Sequence, residues 1–85
     1  MRILHLVRRL DDERALSTAR EQQRQGHEVT LLLLHDAVLS DIRFEGPVLA
    51  CQDDLLARRV SGKYQPVDYE GMVKAIFAHD KVISW

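Results

Sequence analysis

The sequence predicts an α/β fold, a three-layer sandwich with a parallel five-stranded sheet, on three observations. Short apolar runs alternate with segments of helical period along the whole chain, an order that is typical of α/β proteins. The connections between them are only a few residues long, as right-handed crossovers between parallel strands allow. The most apolar segment, Val29–Leu34, is too short for an independent helix and suits a central strand covered on both faces.

The first half of the chain predicts two strands and two helices. Ile3–Val7, rich in leucine and β-branched residues, is the first strand, and Val29–Leu34 is the second. Between them, residues 12–25 form a surface helix with acids in its first turn, and Gly26 is placed to end it. Residues 36–42 place an acid before apolar side chains, which predicts a helix of about two turns.

The second half predicts three further strands and two helices. Residues 47–51 form the third strand, with the proline at its first position, where no hydrogen bond of the sheet is lost. A short helix follows, with acids at its start and arginines at its end, and Gly62 closes it. Lys63–Val67 leads into a very short fourth strand, and residues 81–85 form an edge strand.

The last helix carries the clearest periodic pattern in the chain. It begins at Asp68, which caps it, and its apolar side chains follow the i, i+3, i+4, i+7, i+8 spacing of a core-facing stripe. This stripe consists of Tyr69, Met72, Val73, Ile76 and Phe77. We therefore expect the stripe to pack against the sheet.

Composition limits the class of protein. Eighty-five residues without a repeat or linker predict one domain, residues 1–85, and a domain of this size buries only about 60% of its unfolded surface, so association with a partner is expected. Twelve basic and thirteen acidic residues give a net charge of −1 without a charge block, which argues against direct nucleic-acid binding. The absence of a signal-peptide pattern and of a membrane-spanning run predicts a cytoplasmic protein that does not contact the membrane.

Cys51, the only cysteine, is the candidate catalytic residue, as a persulfide site. It ends the third strand and precedes a helix, at the edge of a parallel sheet where ligands gather. A helix start favours a thiolate and offers N–H donors to an anionic sulfur, here those of Gln52, Asp53 and Asp54. The two acids oppose this, because nearby carboxylates disfavour a second negative charge. The alternative is a small apolar residue at a strand end.

His35 and Asp36 are possible neighbours of this site, because they follow the central strand at the same carboxyl edge; helix capping is the alternative role. The four histidines lack the paired spacings of zinc sites, and no glycine-rich phosphate loop follows the first strand. Neither a metal nor a cofactor is therefore predicted. Asp11 and Asp12 after the first strand are a feature of phospho-receiver domains, which need a longer chain and an aspartate where this chain has Cys51.

Five segments of the chain are distinctive when their order and spacing are taken together. They are Leu4–Arg9, Leu31–Val38, Val48–Ala50 followed by Asp54–Arg58, Val67–Val73, and Val82–Trp85. Together they resemble the DsrH/TusB family, and the match runs essentially from end to end. The aspartate-leucine-x-alanine-arginine stretch at 54–58, the aspartate-tyrosine helix start and the terminal tryptophan carry most of the resemblance.

The resemblance implies a small subunit of DsrEFH-like fold in a sulfur-relay complex. Such subunits assemble with DsrE/TusD-like and DsrF/TusC-like subunits as a dimer of heterotrimers. These complexes pass persulfide sulfur to a downstream acceptor protein, toward 2-thiolation of the tRNA wobble uridine, or serve dissimilatory sulfur oxidation. The active cysteine belongs to the DsrE/TusD-like subunit, just after its third strand, and Cys51 occupies the similar place here. Many DsrH/TusB members lack a cysteine at that point, and some carry one in the first helix, where this chain has none.

The expected function is therefore that of an accessory subunit of a sulfurtransferase complex, which shapes its partner's site. Two alternatives stay open from the sequence. One is a stand-alone persulfide carrier that uses Cys51. The other is a small non-catalytic interaction module that associates with itself.

Overall fold

Five parallel strands form one sheet in the computed structural model, which describes residues 1–85. The strands are β1 (Arg2–Val7), β2 (Glu28–Leu33), β3 (Val48–Cys51), β4 (Gln65–Val67) and β5 (Lys81–Ser84). The helices are α1 (Glu13–Arg24), α2 (Gln52–Ala57) and α3 (Tyr69–Ala78), with a 3₁₀ helix at His35–Leu39. The strand order is β4-β3-β2-β1-β5. The prediction of an α/β fold with an all-parallel five-stranded sheet is confirmed.

The main core lies between one face of the sheet and α1, the 3₁₀ helix and α2. In β2, alternate residues point into it, as the geometry of a strand requires. Its members are Ile3, Val7, Ala15, Leu16, Ala19, Val29, Leu31, Leu33, Ala37, Val38, Ala50 and Leu55. Because β1 to β4 follow one another across the sheet, right-handed crossovers place these three helices on the same face.

The opposite face of the sheet is covered by α3 alone. The connection from β4 to β5 returns across the sheet, so a right-handed crossover places α3 on this side. Leu4 and Leu32 are buried on this face, but no residue of α3 is buried. Tyr69 is 79% exposed and Phe77 84%. The prediction that the apolar stripe faces the core is therefore wrong at both ends of the stripe.

The two ends of the stripe are exposed because α3 approaches the end of β4 closely at Gly71. A Cβ placed on Gly71 would lie 3.3 Å from the Cβ of Val67, a tight contact, so a side chain at position 71 would require Val67 to shift. Asp68 holds the helix start there, since its Oδ1 accepts a hydrogen bond from the Gly71 N–H at 2.7 Å. The half-buried Gly71 and Ala75 thus lie nearer the sheet than Tyr69 and Phe77 do.

The segment after β2 forms a 3₁₀ helix over His35–Leu39 instead of the predicted helix of about two turns. Tertiary hydrogen bonds end it early. The Ile42 N–H donates to the Tyr64 hydroxyl at 3.0 Å, and that hydroxyl donates to the Ser40 carbonyl. Backbone groups that would continue a helix are therefore satisfied by the loop before β4.

The ends of α1 agree with prediction, whereas the end of α2 does not. Asp12 caps α1, because its Oδ1 accepts from the Ala15 N–H at 3.1 Å, and Gly26 adopts a φ of 95° just after the helix. α2 stops at Ala57, and Arg59 adopts the left-handed conformation with a φ of 57°. Gly62 has a φ of 73° but lies in the following loop. The prediction that Gly62 closes the helix is therefore wrong.

A buried polar triad joins β1, α1 and the C-terminal residue. The Trp85 indole N–H donates to Nδ1 of the fully buried His5 at 2.8 Å. Because an indole N–H is only a donor, Nδ1 is the acceptor, and Nε2 carries the hydrogen that it donates to the Gln22 Oε1 at 2.6 Å. Burial lowers the pKa of His5 below its ordinary value of 6.5, although the bond to Gln22 opposes this. A neutral His5 is therefore part of the fold.

The free energy of unfolding is expected to decrease as the pH falls below about 6.5. Since the pKa of His5 is lower in the folded protein, the unfolded chain binds more protons in this window. Protonation of Nδ1 also removes the acceptor for Trp85. The contribution is fully present above 6.5 and is lost as the pH falls through the folded-state pKa. Urea titrations at several pH values, followed by the fluorescence of the single tryptophan, measure this.

The matched variants for this test are His5→Gln and His27→Gln. His5→Gln removes the buried titrating group and should flatten the pH dependence, whereas His27→Gln, at a half-buried position, should preserve it. If both variants flatten the pH dependence of stability equally, or if neither does, the role assigned to His5 is contradicted.

Candidate functional site

The candidate site lies where β2 and β3 end, at the carboxyl edge of the sheet. Cys51 is the last residue of β3 and the residue directly before α2, and His35 and Asp36 begin the 3₁₀ helix that follows β2. Because β2 and β3 are parallel neighbours, their ends meet at one edge. The structure therefore brings Cys51 close to the segment that contains His35 and Asp36, as the sequence predicts.

Asp54 is the centre of the hydrogen-bond network at this edge. Its Oδ2 accepts from the His35 backbone N–H at 2.8 Å, and its Oδ1 pairs with Nη1 of Arg58 at 3.3 Å. Arg58 also donates from Nε to the Asp36 Oδ1 at 3.1 Å. His35 has a left-handed φ of 51°, which is uncommon for a non-glycine residue, and the bond to Asp54 stabilises it. One side chain thus ties α2 to the 3₁₀ helix.

The Asp54 carboxylate stays ionised because its neighbours outweigh its burial. Burial, the largest single effect, raises the pKa of Asp54, whereas hydrogen bonds from the His35 backbone and the Cys51 thiol lower it. The positive charges of His35, when protonated, and Arg58 act in the same direction. The pKa of Asp54 therefore lies below its ordinary value.

Cys51 itself is buried, with 8% of its surface exposed. A persulfide site needs an accessible thiol, so the burial of Cys51 favours the alternative of a small apolar residue at a strand end. The thiol is buried because β3 is an inner strand, flanked by β2 and β4, and Cys51 lies opposite Val67 of β4. A reagent or a sulfur donor reaches this thiol only if the strand end opens.

Not every predicted neighbour joins the cluster. Gln52 and Asp53 are exposed and take no part in the hydrogen bonds around Asp54. Arg58, whose side chain is mostly buried, was missed as a site residue in sequence analysis. Its spacing of four residues from Asp54 on the same helix was the available signal, since i, i+4 side chains are neighbours.

The cluster leaves one group free for an external partner. The charges of Arg58, Asp54 and Asp36 are paired with one another. His35 is exposed, and its ring makes no hydrogen bond, so it is available to a molecule that docks at this edge. No group of three or more histidine, cysteine or acidic side chains is arranged to hold a metal ion. No helix has the length and apolar character that crossing a bilayer requires.

Comparison with known proteins adds no identification. No family model matches the chain, and a search of curated proteins finds no match. The resemblance to the DsrH/TusB family therefore stays a prediction.

Arg58→Met is expected to lower the free energy of unfolding by roughly 1 kcal/mol, because it removes both ion pairs at a mostly buried position. Arg59→Met is the matched control, since Arg59 is the exposed neighbour and has no ion pair. Urea titration of both variants measures the difference. Equal losses of stability would show that the pairs between Arg58 and the two acids contribute nothing measurable.

Alkylation of Cys51 by iodoacetamide should be slow in the folded protein and fast after denaturation, because the thiol is buried. Asp54→Asn should accelerate the reaction of the folded protein by about 3- to 10-fold, since it weakens the bonds to His35 and Arg58 that hold this edge closed over the thiol. The exposed Asp53→Asn serves as the control and should leave the rate unchanged. A rate that responds equally to both substitutions would rule out a specific role for Asp54.

Proposed function

We propose that this chain is a non-catalytic subunit of a sulfur-relay complex of the DsrEFH/TusBCD type, with the three-layer sandwich of that family. It associates with DsrE/TusD-like and DsrF/TusC-like subunits, and the partner carries the persulfide. The all-parallel five-stranded α/β fold and the end-to-end resemblance to DsrH/TusB proteins support this proposal. The complex acts in the cytoplasm and passes sulfur to a downstream acceptor protein, for tRNA 2-thiolation or sulfur oxidation.

The observation that carries the proposal is the environment of Cys51. Its thiol is buried, and the ionised Asp54 carboxylate lies in the first turn of the helix that Cys51 precedes. A persulfide carrier needs a thiolate that a donor and an acceptor can both approach in line with the sulfur–sulfur bond. Here a negative charge already stands beside the sulfur, and the sheet covers it. The position that resembles the partner's active site is therefore unsuited to carry sulfur in this chain.

The presence of a single cysteine also supports the proposal that a partner subunit carries the persulfide. Transfer of sulfur from a persulfide requires attack by a second thiol or another nucleophile, and this chain has no second cysteine. The accepting thiol must then come from another subunit. In the complex, this chain contributes a rigid edge, in which Arg58 fixes the 3₁₀ helix against α2 and the exposed His35 faces the neighbouring subunit.

One observation favours the alternative of a stand-alone carrier. Cys51 is the N-cap residue of α2, where backbone N–H groups at a helix start can stabilise an anionic sulfur. This effect is small in a helix of six residues and acts against the charge of Asp54 in its first turn. The accessory subunit is therefore the better-supported function.

Loading with labelled sulfur from a cysteine desulfurase separates the two functions. The isolated chain should gain little label, and with DsrE-like and DsrF-like partners the label should appear by mass spectrometry on a cysteine of the DsrE-like subunit. Cys51→Ser retains a donor for Asp54 and should leave relay activity nearly unchanged, whereas omission of the whole subunit should abolish it.

The opposite distribution of label would overturn the proposal. Stoichiometric loading of Cys51 in the isolated protein, with onward transfer to an acceptor, would make this chain a carrier in its own right. Loss of relay with Cys51→Ser, in a complex that still assembles, would lead to the same conclusion.

A further inference from the structure

The apolar stripe of α3 leaves a large hydrophobic surface open to solvent. Its two aromatic residues, Tyr69 and Phe77, are 79% and 84% exposed, and Ile76 is more than one third exposed. Tyr69 and Phe77 lie eight residues apart, with Val73 midway between them, and therefore form one ridge along the helix. An exposed ridge of this kind is typical of an interaction surface.

This exposure is built into the fold. The start of α3 is fixed by the bond between Asp68 and Gly71 and by the contact of Gly71 with Val67. Its end is fixed by His79, which bonds to the Ala75 carbonyl and to the Thr30 hydroxyl of the central strand. The helix therefore cannot rotate to bury the stripe without breaking these contacts.

The sequence of α3 is self-complementary about Val73. If a second copy of α3 lies antiparallel, with a two-fold axis at Val73, each residue of the ridge meets the ridge residue of the copy that is equally far from the centre on the other side. Tyr69 then contacts Phe77 of the copy, and Phe77 contacts its Tyr69. Ridges of residues four apart pack against one another in the commonest class of helix pair, and aromatic pairs add to the energy of burial.

The two sides of this ridge are also complementary. Successive residues are rotated by about 100° around a helix, which places Glu70 and Lys74 on one side of the ridge and Met72 and Ile76 on the other. The two-fold axis keeps each side facing itself, so Glu70 lies near Lys74 of the copy, and Met72 near its Ile76. Glu70 and Lys74 are exposed, and neither belongs to a salt bridge within the chain.

The two aromatic residues supply part of the area that a dimer centred on this helix needs. A buried Tyr or Phe contributes about 150–250 Å², and both aromatic residues are about four fifths exposed, so they supply a few hundred Å² per protomer. A stable interface needs about 800 Å² per partner. Val73, Ile76 and the half-exposed Val82 of the adjoining edge strand add to the same surface.

We infer that α3 is a homodimer interface, in which two copies of this chain pack antiparallel about a two-fold axis at Val73. This goes beyond the proposed function, because it concerns contact between two copies of this chain and not contact with other subunits.

Sedimentation of the purified chain tests this inference directly. The wild type should be a dimer at micromolar concentration, and Phe77→Glu should weaken dimerisation by about 100-fold or more, because it buries a charge against Tyr69 of the copy. Leu56→Glu is the matched control. Leu56 is 70% exposed but lies on α2, so its replacement should leave the dimer intact. Circular dichroism checks that each variant is folded.

A charge exchange tests the antiparallel geometry. Glu70→Lys and Lys74→Glu should each weaken the dimer by about 10-fold, because each creates two repulsive pairs across the two-fold axis. The double variant should restore the wild-type affinity, since it re-forms both pairs with their signs exchanged. Val73→Cys, in a Cys51→Ser background, should form an intermolecular disulfide on oxidation, whereas the exposed Ala78→Cys on the same helix should not.

Three results would overturn the inference. The first is a folded monomer at about 100 μM; the second is a dimer unaffected by Phe77→Glu; the third is a double charge variant no tighter than the single variants. If the isolated chain is a monomer and α3 is protected from solvent only after addition of DsrE-like and DsrF-like subunits, a different subunit covers the stripe. The homodimer is then wrong, and the proposed sulfur-relay function is unaffected.

Discussion

Burial of β2 on both faces is the constraint on which the rest of the structure depends. Leu31, Leu32 and Leu33 are all fully buried, although successive side chains of a strand point to opposite faces. Such a strand needs helices on both sides and parallel neighbours joined by crossovers. Its register places Leu33 beside Val7 of β1 and Ala50 of β3, so the three strands end close together. The carboxyl edge follows from this arrangement.

That edge combines a position suited to sulfur chemistry with an environment that opposes it. Cys51 ends an inner strand and precedes a helix, as a reactive thiol does in many α/β proteins, yet it is buried, and the Asp54 carboxylate lies in the first turn of that helix. Asp54 has a structural role of its own, because it holds the His35 backbone and pairs with Arg58. The carboxylate that stabilises the edge is thus the same one that places a negative charge in the helix turn after Cys51. This conflict supports a structural role for the edge and a carrier cysteine in another subunit.

Features set by local signals could be predicted from the sequence, and features set by tertiary contacts could not. The central strand at Val29–Leu34 and the caps Asp12 and Asp68 depend on short patterns of polarity and hydrogen bonding, and they were predicted. The orientation of α3 depends on how closely Gly71 approaches β4, which periodicity does not specify. At the site, the sequence placed the thiol and its acids at one edge, but burial of the thiol and the bridging role of Arg58 depend on packing between elements distant in the chain.

The central claim is that this chain functions inside a heteromeric sulfur-relay complex. The most direct measurement is native mass spectrometry of the chain co-expressed with the DsrE-like and DsrF-like subunits of its own source. The account predicts one assembly that contains all three kinds of subunit, with two copies of this chain. Recovery of this chain only by itself, beside a complex of the other two subunits, would contradict the claim.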